Sequence, residues 1–238
     1  TQRDTSLKAV EVAHEYAEGV YATVGLHPIH TEKSYHDSQE LGDTKETRGF
    51  TSRGEEFDYD EYKKLASNVK VVAIGECGLD YYRLGEETKQ RQKETFVKHI
   101  ELAVEIKKPL MVHCRKAFHD VIDILNSKFH ILNSSGIVHF FTGAIDDART
   151  LLDMGFSFSF GGVITFARDY DDVIRYIPLE KILLETDAPY VTPAPYRGKR
   201  NEPLYVTEVA KKLAEIKELP LEEVAHTTLK NALTMFKL

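Results

Sequence analysis

Val69-Lys-Val-Val-Ala-Ile-Gly-Glu-Cys-Gly-Leu-Asp80 is the stretch on which the reading of this chain turns. An apolar Val/Ile/Ala run leads to Gly75 and stops at a carboxylate, Glu76. Such a run bounded by glycines predicts a strand over 69–76 buried on both faces, as in parallel sheets. An ionised acid where that strand ends loses hydration and needs a partner, and a metal ion is the natural one.

Working outward, the same pattern recurs: a short apolar strand, a polar or imidazole end, then a helix. Val20 to Leu26 runs into His27, Leu110 to Val112 into His113, and Ile137-Val138 into His139. Phe156 to Phe160 closes on two glycines, and Ile182 to Leu184 runs into Glu185-Thr-Asp187. Helices are predicted over 6–18, 61–66, 86–107, 118–126, 144–154, 170–176, 204–216 and 221–236. The longest carries Phe96, Ile100, Ala103 and Val104 as one apolar stripe. Asn201 followed by Pro203 reads as the start of the 204–216 helix. Thr31 to Asp60 is polar and reads as a surface excursion with a little helix.

Strands alternating with helices argue for an α/β fold with a parallel sheet covered by helices. Six strands are countable where a TIM (β/α)8 barrel needs eight, so two units are expected upstream of Thr1. The expectation is one barrel domain over 1–238, incomplete at its N-terminus.

Composition narrows the function. The chain has 238 residues, is 42% hydrophobic and carries a net charge of −7, which argues against a broad nucleic-acid-coating surface but allows a local basic pocket. No run of 18 apolar residues suggests a membrane span. Two cysteines, Cys77 and Cys114, form no disulfide framework and no CxxC, so they read as small packing residues in a reducing, cytoplasmic setting.

In a parallel barrel all strand ends face one mouth, so His27, Glu76, His113, His139 and Asp187 would converge there. Taken singly, each has an ordinary reading: a hydrogen-bonded histidine, a glutamate paired with arginine, an aspartate capping a turn. Jointly they suit Zn2+, Mn2+ or another divalent ion, with Mg2+ preferring the carboxylates. Arg115, two residues past His113, could fork onto a phosphate oxygen. Arg197, Lys199 and Arg200 form the densest basic run near the motifs, either a solvated loop or a grip on a nucleic-acid backbone.

Gly75-Glu-Cys-Gly-Leu-Asp80, Gly25-Leu-His-Pro28, His113-Cys-Arg115, His139-Phe-Phe-Thr-Gly143, Glu185-Thr-Asp-Ala-Pro189 and Arg200-Asn-Glu-Pro203 together resemble the TatD family of metal-dependent DNases. The resemblance implies a TIM barrel in which Glu76 bridges two divalent metal ions, His113 and His139 ligate one, and Asp187 ligates the other or steers the attacking water. It also implies that His27 contacts the substrate phosphate; Glu76 and Asp187 are then the candidate catalytic carboxylates, with Asp187 as the base for the attacking water. The His-x-His pair that many family members carry at their first strand is not in this sequence and is expected upstream of it.

The implied activity is 3′-to-5′ exonucleolytic hydrolysis of DNA, on single strands or 3′ ends, with Arg115 and Arg200 as substrate contacts and no protein or membrane partner. Two alternatives stand beside it. One is an ester or amide hydrolase on the same barrel, such as an aminoacyl-tRNA deacylase or an amidohydrolase; the other is a barrel that binds phosphate ligands without turnover.

Overall fold

A computed structural model gives the fold and describes residues 2–36, 50–82, 85–128 and 136–238. Six strands form one sheet: β1 (Ala22–Val24), β4 (Val71–Asp80), β5 (Leu110–Arg115), β6 (Ile137–Val138), β7 (Ser157–Phe160) and β8 (Ile182–Leu184). They lie side by side in chain order and every pair is parallel. Each step to the next strand therefore needs a crossover, which is why a helix intervenes each time. The result is an α/β fold of TIM-barrel type, six consecutive parallel strands with helices on their outer side.

The helices are α1 (Arg3–His14), α2 (Tyr59–Ala66), α3 (Glu86–Ile106), α4 (Phe118–Lys128), α5 (Ile145–Asp153), α6 (Asp171–Tyr176), α7 (Val206–Lys217) and α8 (Leu221–Phe236). Asp58 starts α2 by accepting Glu61 N–H at 3.1 Å. In α3, Phe96, Ile100 and Ala103 are buried as the stripe predicted, and Leu102 joins them. Burial of each large apolar side chain stabilises by about 1.5–3 kcal/mol. Phe141, Phe158 and Phe160 pack edge to face beside the sheet, with ring centroids 4.8 and 6.4 Å from Phe141.

Three expectations are corrected. The excursion contains an antiparallel pair, β2 (Lys33–His36) with β3 (Phe50–Arg53), where a little helix was expected; residues 37–49 lie outside the described ones. The pairing is local and antiparallel between two segments of only four residues each, too short for a periodicity in the sequence to reveal. Asn201 does not cap a helix. Its amide donates to Thr186 O and Tyr190 O at 2.5 and 2.6 Å, pinning the loop after β8, and a 3-10 turn over Pro203–Tyr205 leads into α7. Finally, β4 does not end at Glu76 but continues to Asp80.

Candidate metal centre

The sequence brings the end of β1 unusually close to the middle of β4. A Cβ on Gly25 would sit 2.8 Å from Gly75 C, so only glycine there lets the two backbones touch. β1 stops at Val24, and His27 caps a 3-10 turn over Pro28–His30 by accepting Ile29 N–H at Nδ1, 3.3 Å away. That leaves its Nε2 facing β4. The β4–β5 register shifts between Ile74 and Cys77, at Glu76. Such an irregularity re-aims a side chain without ending the strand.

Five side chains meet as a result. Glu76 Oε1 lies 2.8 Å from His113 Nδ1, 3.3 Å from His27 Nε2 and 3.7 Å from His139 Nε2. His27 Nε2 is 3.1 Å from His113 Nδ1, and His139 Nε2 is 3.7 Å from Asp187 Oδ1. His27, Glu76 and His113 each offer an atom within 4.8 Å of the others. His27 thus lies in the cluster with Glu76 and His113, where the strand ends were expected to converge.

The electrostatics follow from burial opposed by close partners. Burial alone would raise the Glu76 carboxyl, but His27, His139 and His113 outweigh it and hold it well below the usual carboxylate range. Burial opposes charge on His113, yet hydrogen bonds to Asp80 and Glu76 prevail and push it up to about 9. His139 is likewise raised, by Glu185 and Glu76 against burial. Burial depresses His27 and raises Asp187.

Backbone strain collects at the same face. Lys116, Phe140 and Asp187, each just past a strand end, have φ of 55°, 47° and 58°. Non-glycine residues in this left-handed region cost about 1–3 kcal/mol, and such strain gathers at functional sites.

Of the expected substrate contacts, Arg115 ends β5 with its guanidinium 3.8 Å over the Tyr82 ring. Arg200 is exposed on the loop after β8, and no hydrogen bond joins it to the cluster among the described residues. On the same loop, Arg197 lies 3.8 Å over the Phe166 ring. Cys77 and Cys114 are buried free thiols, as their packing role requires.

Sequence reasoning passed over several residues of the site. Asp80 Oδ2 accepts from His113 Nε2 at 2.9 Å, and Glu185 Oε2 accepts from His139 Nδ1. Ser159, from the strand whose end carries no ligand type, donates to Glu185 Oε2 at 2.6 Å. Parity was the available signal: Glu76 and Asp80 share one strand, and Glu185 precedes Asp187 by two residues. From α3, Gln92 clasps the Asp80 main chain and His99 accepts Leu26 N–H at 2.9 Å.

Comparison with known proteins agrees with this architecture. A protein of Bacillus subtilis (strain 168), the uncharacterized metal-dependent hydrolase YabD, is 40% identical over 238 residues, covering 99% of this chain and 84% of its own. The 3′-5′ ssDNA/RNA exonuclease TatD of Yersinia pseudotuberculosis serotype O:3 (strain YPIII) is 32% identical, over 100% of this chain and 86% of its own. The crystal structure of the TatD homologue YjjV from Escherichia coli K12 superposes with a TM-score of 0.82 at 28% identity, covering 100% of this chain and 84% of that one. The TatD-related DNase family model matches residues 1–237, so the imidazoles and carboxylates gathered at the strand ends sit in a hydrolase of the TatD-related DNase family.

Proposed function

We propose that the protein is a metal-dependent phosphodiesterase that removes nucleotides from the 3′ end of single-stranded DNA. The convergence of His27, Glu76, His113, His139 and Asp187 into one cluster, linked through contacts of 2.8 to 3.7 Å, carries this reading. Three imidazoles and two carboxylates in a largely buried cluster fit a divalent cation: nitrogen and oxygen donors of this mix suit Zn2+ or Mn2+. Glu76 is central and would be shared between two such ions, with His113 and His139 on one and Asp187 on the other; His27 completes the donor set. When bound, the cation neutralises charge on the phosphate oxygens and lowers the pKa of a water toward neutrality.

The chain's own groups do the rest. Asp187, its carboxyl raised by burial, accepts the proton of the attacking water as the new P–O bond forms. It returns that proton to the 3′-oxygen, which departs with the bonding pair. Arg115, two residues past His113 on β5, would fork onto a phosphate oxygen, and Arg200 would meet the backbone of the incoming strand. A local basic loop on a chain of net charge −7 suits a strand end rather than a long duplex. Two free buried thiols are consistent with a reducing compartment, and no described helix is long and apolar enough to cross a membrane.

Release of mononucleotides from a 3′-labelled oligonucleotide tests the reading, with charged tRNA as the competing substrate. Glu76→Ala and Asp187→Asn are each expected to lower turnover by about 10²–10³-fold or more, with unchanged circular dichroism. Near-normal turnover in either variant rejects the site. Release of amino acid in place of mononucleotide moves the assignment to a deacylase.

A further inference from the structure

The nuclease reading leaves two carboxylates that touch the cluster without a role. Asp80 is 3% exposed, and Glu185 has a side chain 14% exposed. An ionised carboxylate so placed is costly unless strongly partnered. Each turns out to hold the far nitrogen of one imidazole of the cluster. His113 donates Nε2–H to Asp80 Oδ2 at 2.9 Å, while its Nδ1 faces Glu76 Oε1 at 2.8 Å. His139 uses the opposite nitrogens: Nδ1–H donates to Glu185, and Nε2 faces Glu76 and Asp187, both at 3.7 Å.

The carboxylates are themselves fixed. Asp80 Oδ1 accepts Tyr82 N–H at 2.9 Å, and Gln92 accepts from Asp80 N and donates to Asp80 O at 2.8 and 3.0 Å. Glu185 Oε2 also accepts from Ser159 Oγ, and Glu185 Oε1 is buried with no hydrogen-bond partner among the described residues.

Resting on the metal site proposed above, we propose that Asp80 and Glu185 are positioning residues that lock the two imidazoles in opposite senses, so that His113 offers Nδ1 and His139 offers Nε2 to the cation. A neutral imidazole carries one N–H. With that proton committed to the carboxylate, the lone pair of the other nitrogen is fixed toward the cleft. Loss of such outer partners lowers metal affinity by about 10- to 100-fold in comparable sites.

The test uses the full chain labelled with 15N-histidine and loaded with Zn2+ alone. Long-range 1H–15N correlation is expected to show zinc on His113 Nδ1 and His139 Nε2, with protons on the other nitrogens. Competition with a chelator is expected to show Asp80→Asn and Glu185→Gln each binding Zn2+ about 10- to 100-fold more weakly. Should either variant fail to fold, the wild-type nitrogen assignment still decides. Zinc on the same nitrogen type in both rings, zinc on neither ring, or wild-type affinity in both folded variants overturns the proposal. Zinc held through these two nitrogens by a protein that cleaves no phosphodiester sinks the nuclease reading alone.

Discussion

His99 gives the structure a sharp pH test away from the metal cluster. It is fully buried on α3, beside the Phe57 ring at 4.1 Å between centroids. Its Nδ1–H donates to Thr95 O at 2.8 Å, and its Nε2 accepts Leu26 N–H at 2.9 Å. Both nitrogens are spoken for, and a second proton would face the Leu26 N–H donor to donor. Burial accordingly pushes its pKa down from 6.5 to about 4. The unfolded chain then binds the proton first as pH falls, so folding loses stability below 6.5 and the loss levels off near 4. Linkage with these two values gives a loss of about 2 kcal/mol at pH 5 and about 3 kcal/mol at pH 4. His99→Gln keeps an acceptor and a donor but cannot titrate. Urea unfolding at 25 °C from pH 7 to pH 5 is therefore expected to narrow the stability gap between wild type and variant by about 2 kcal/mol. Every other titrating group is common to both proteins and cancels. A gap constant to within about 0.5 kcal/mol across that range refutes the buried neutral imidazole.

Gly78 has φ +139°, and a Cβ on it would lie 2.0 Å from His113 O. Gly78→Ala is expected to cost at least about 2 kcal/mol in urea melts and to displace His113; a cost under about 1 kcal/mol means β4 and β5 are not so close. If Arg200 contacts one phosphate of a single strand, Arg200→Ala lowers the slope of log affinity against log salt by about 0.7, measured with an uncleavable oligonucleotide in chelator. An unchanged slope removes Arg200 from the substrate path.

Apolar runs and their punctuation carried the fold. Six short strands were legible because each is bounded by glycine, proline or a polar end, and their parallel order followed from the helices between them. The N-cap expected at Asn201 went astray for a physical reason. The same side-chain chemistry that caps a helix also anchors a turn, and here the nearest unsatisfied groups are the Thr186 and Tyr190 carbonyls. The extension of β4 past Glu76 was hidden because Cys-Gly-Leu-Asp has poor strand propensity, and its pairing is imposed by β5 at His113, Cys114 and Arg115.

The candidate site divides along a similar line. Residues at strand ends could be picked out because topology alone sends them to one mouth, whatever their partners. Asp80 and Glu185 could not be given roles that way, since what an acid does depends on which nitrogen it faces. Gln92 and His99 lay in plainer view than either. They fall on the same helical stripe as Phe96, Ile100 and Ala103, at positions i, i+4, i+7, i+8 and i+11, where apolar residues are expected. Polar side chains on a core-facing stripe must find partners inside the protein, and the backbone nearest to them is where the strands they cover come to an end. Their presence on that stripe called for partners in the interior, and the structure supplies them at the end of β4 and just past β1. Those partners are the Asp80 main chain and the Leu26 N–H, one residue before His27. A helix read as packing alone is in this fold also the stay that keeps β1 and β4 aimed at each other.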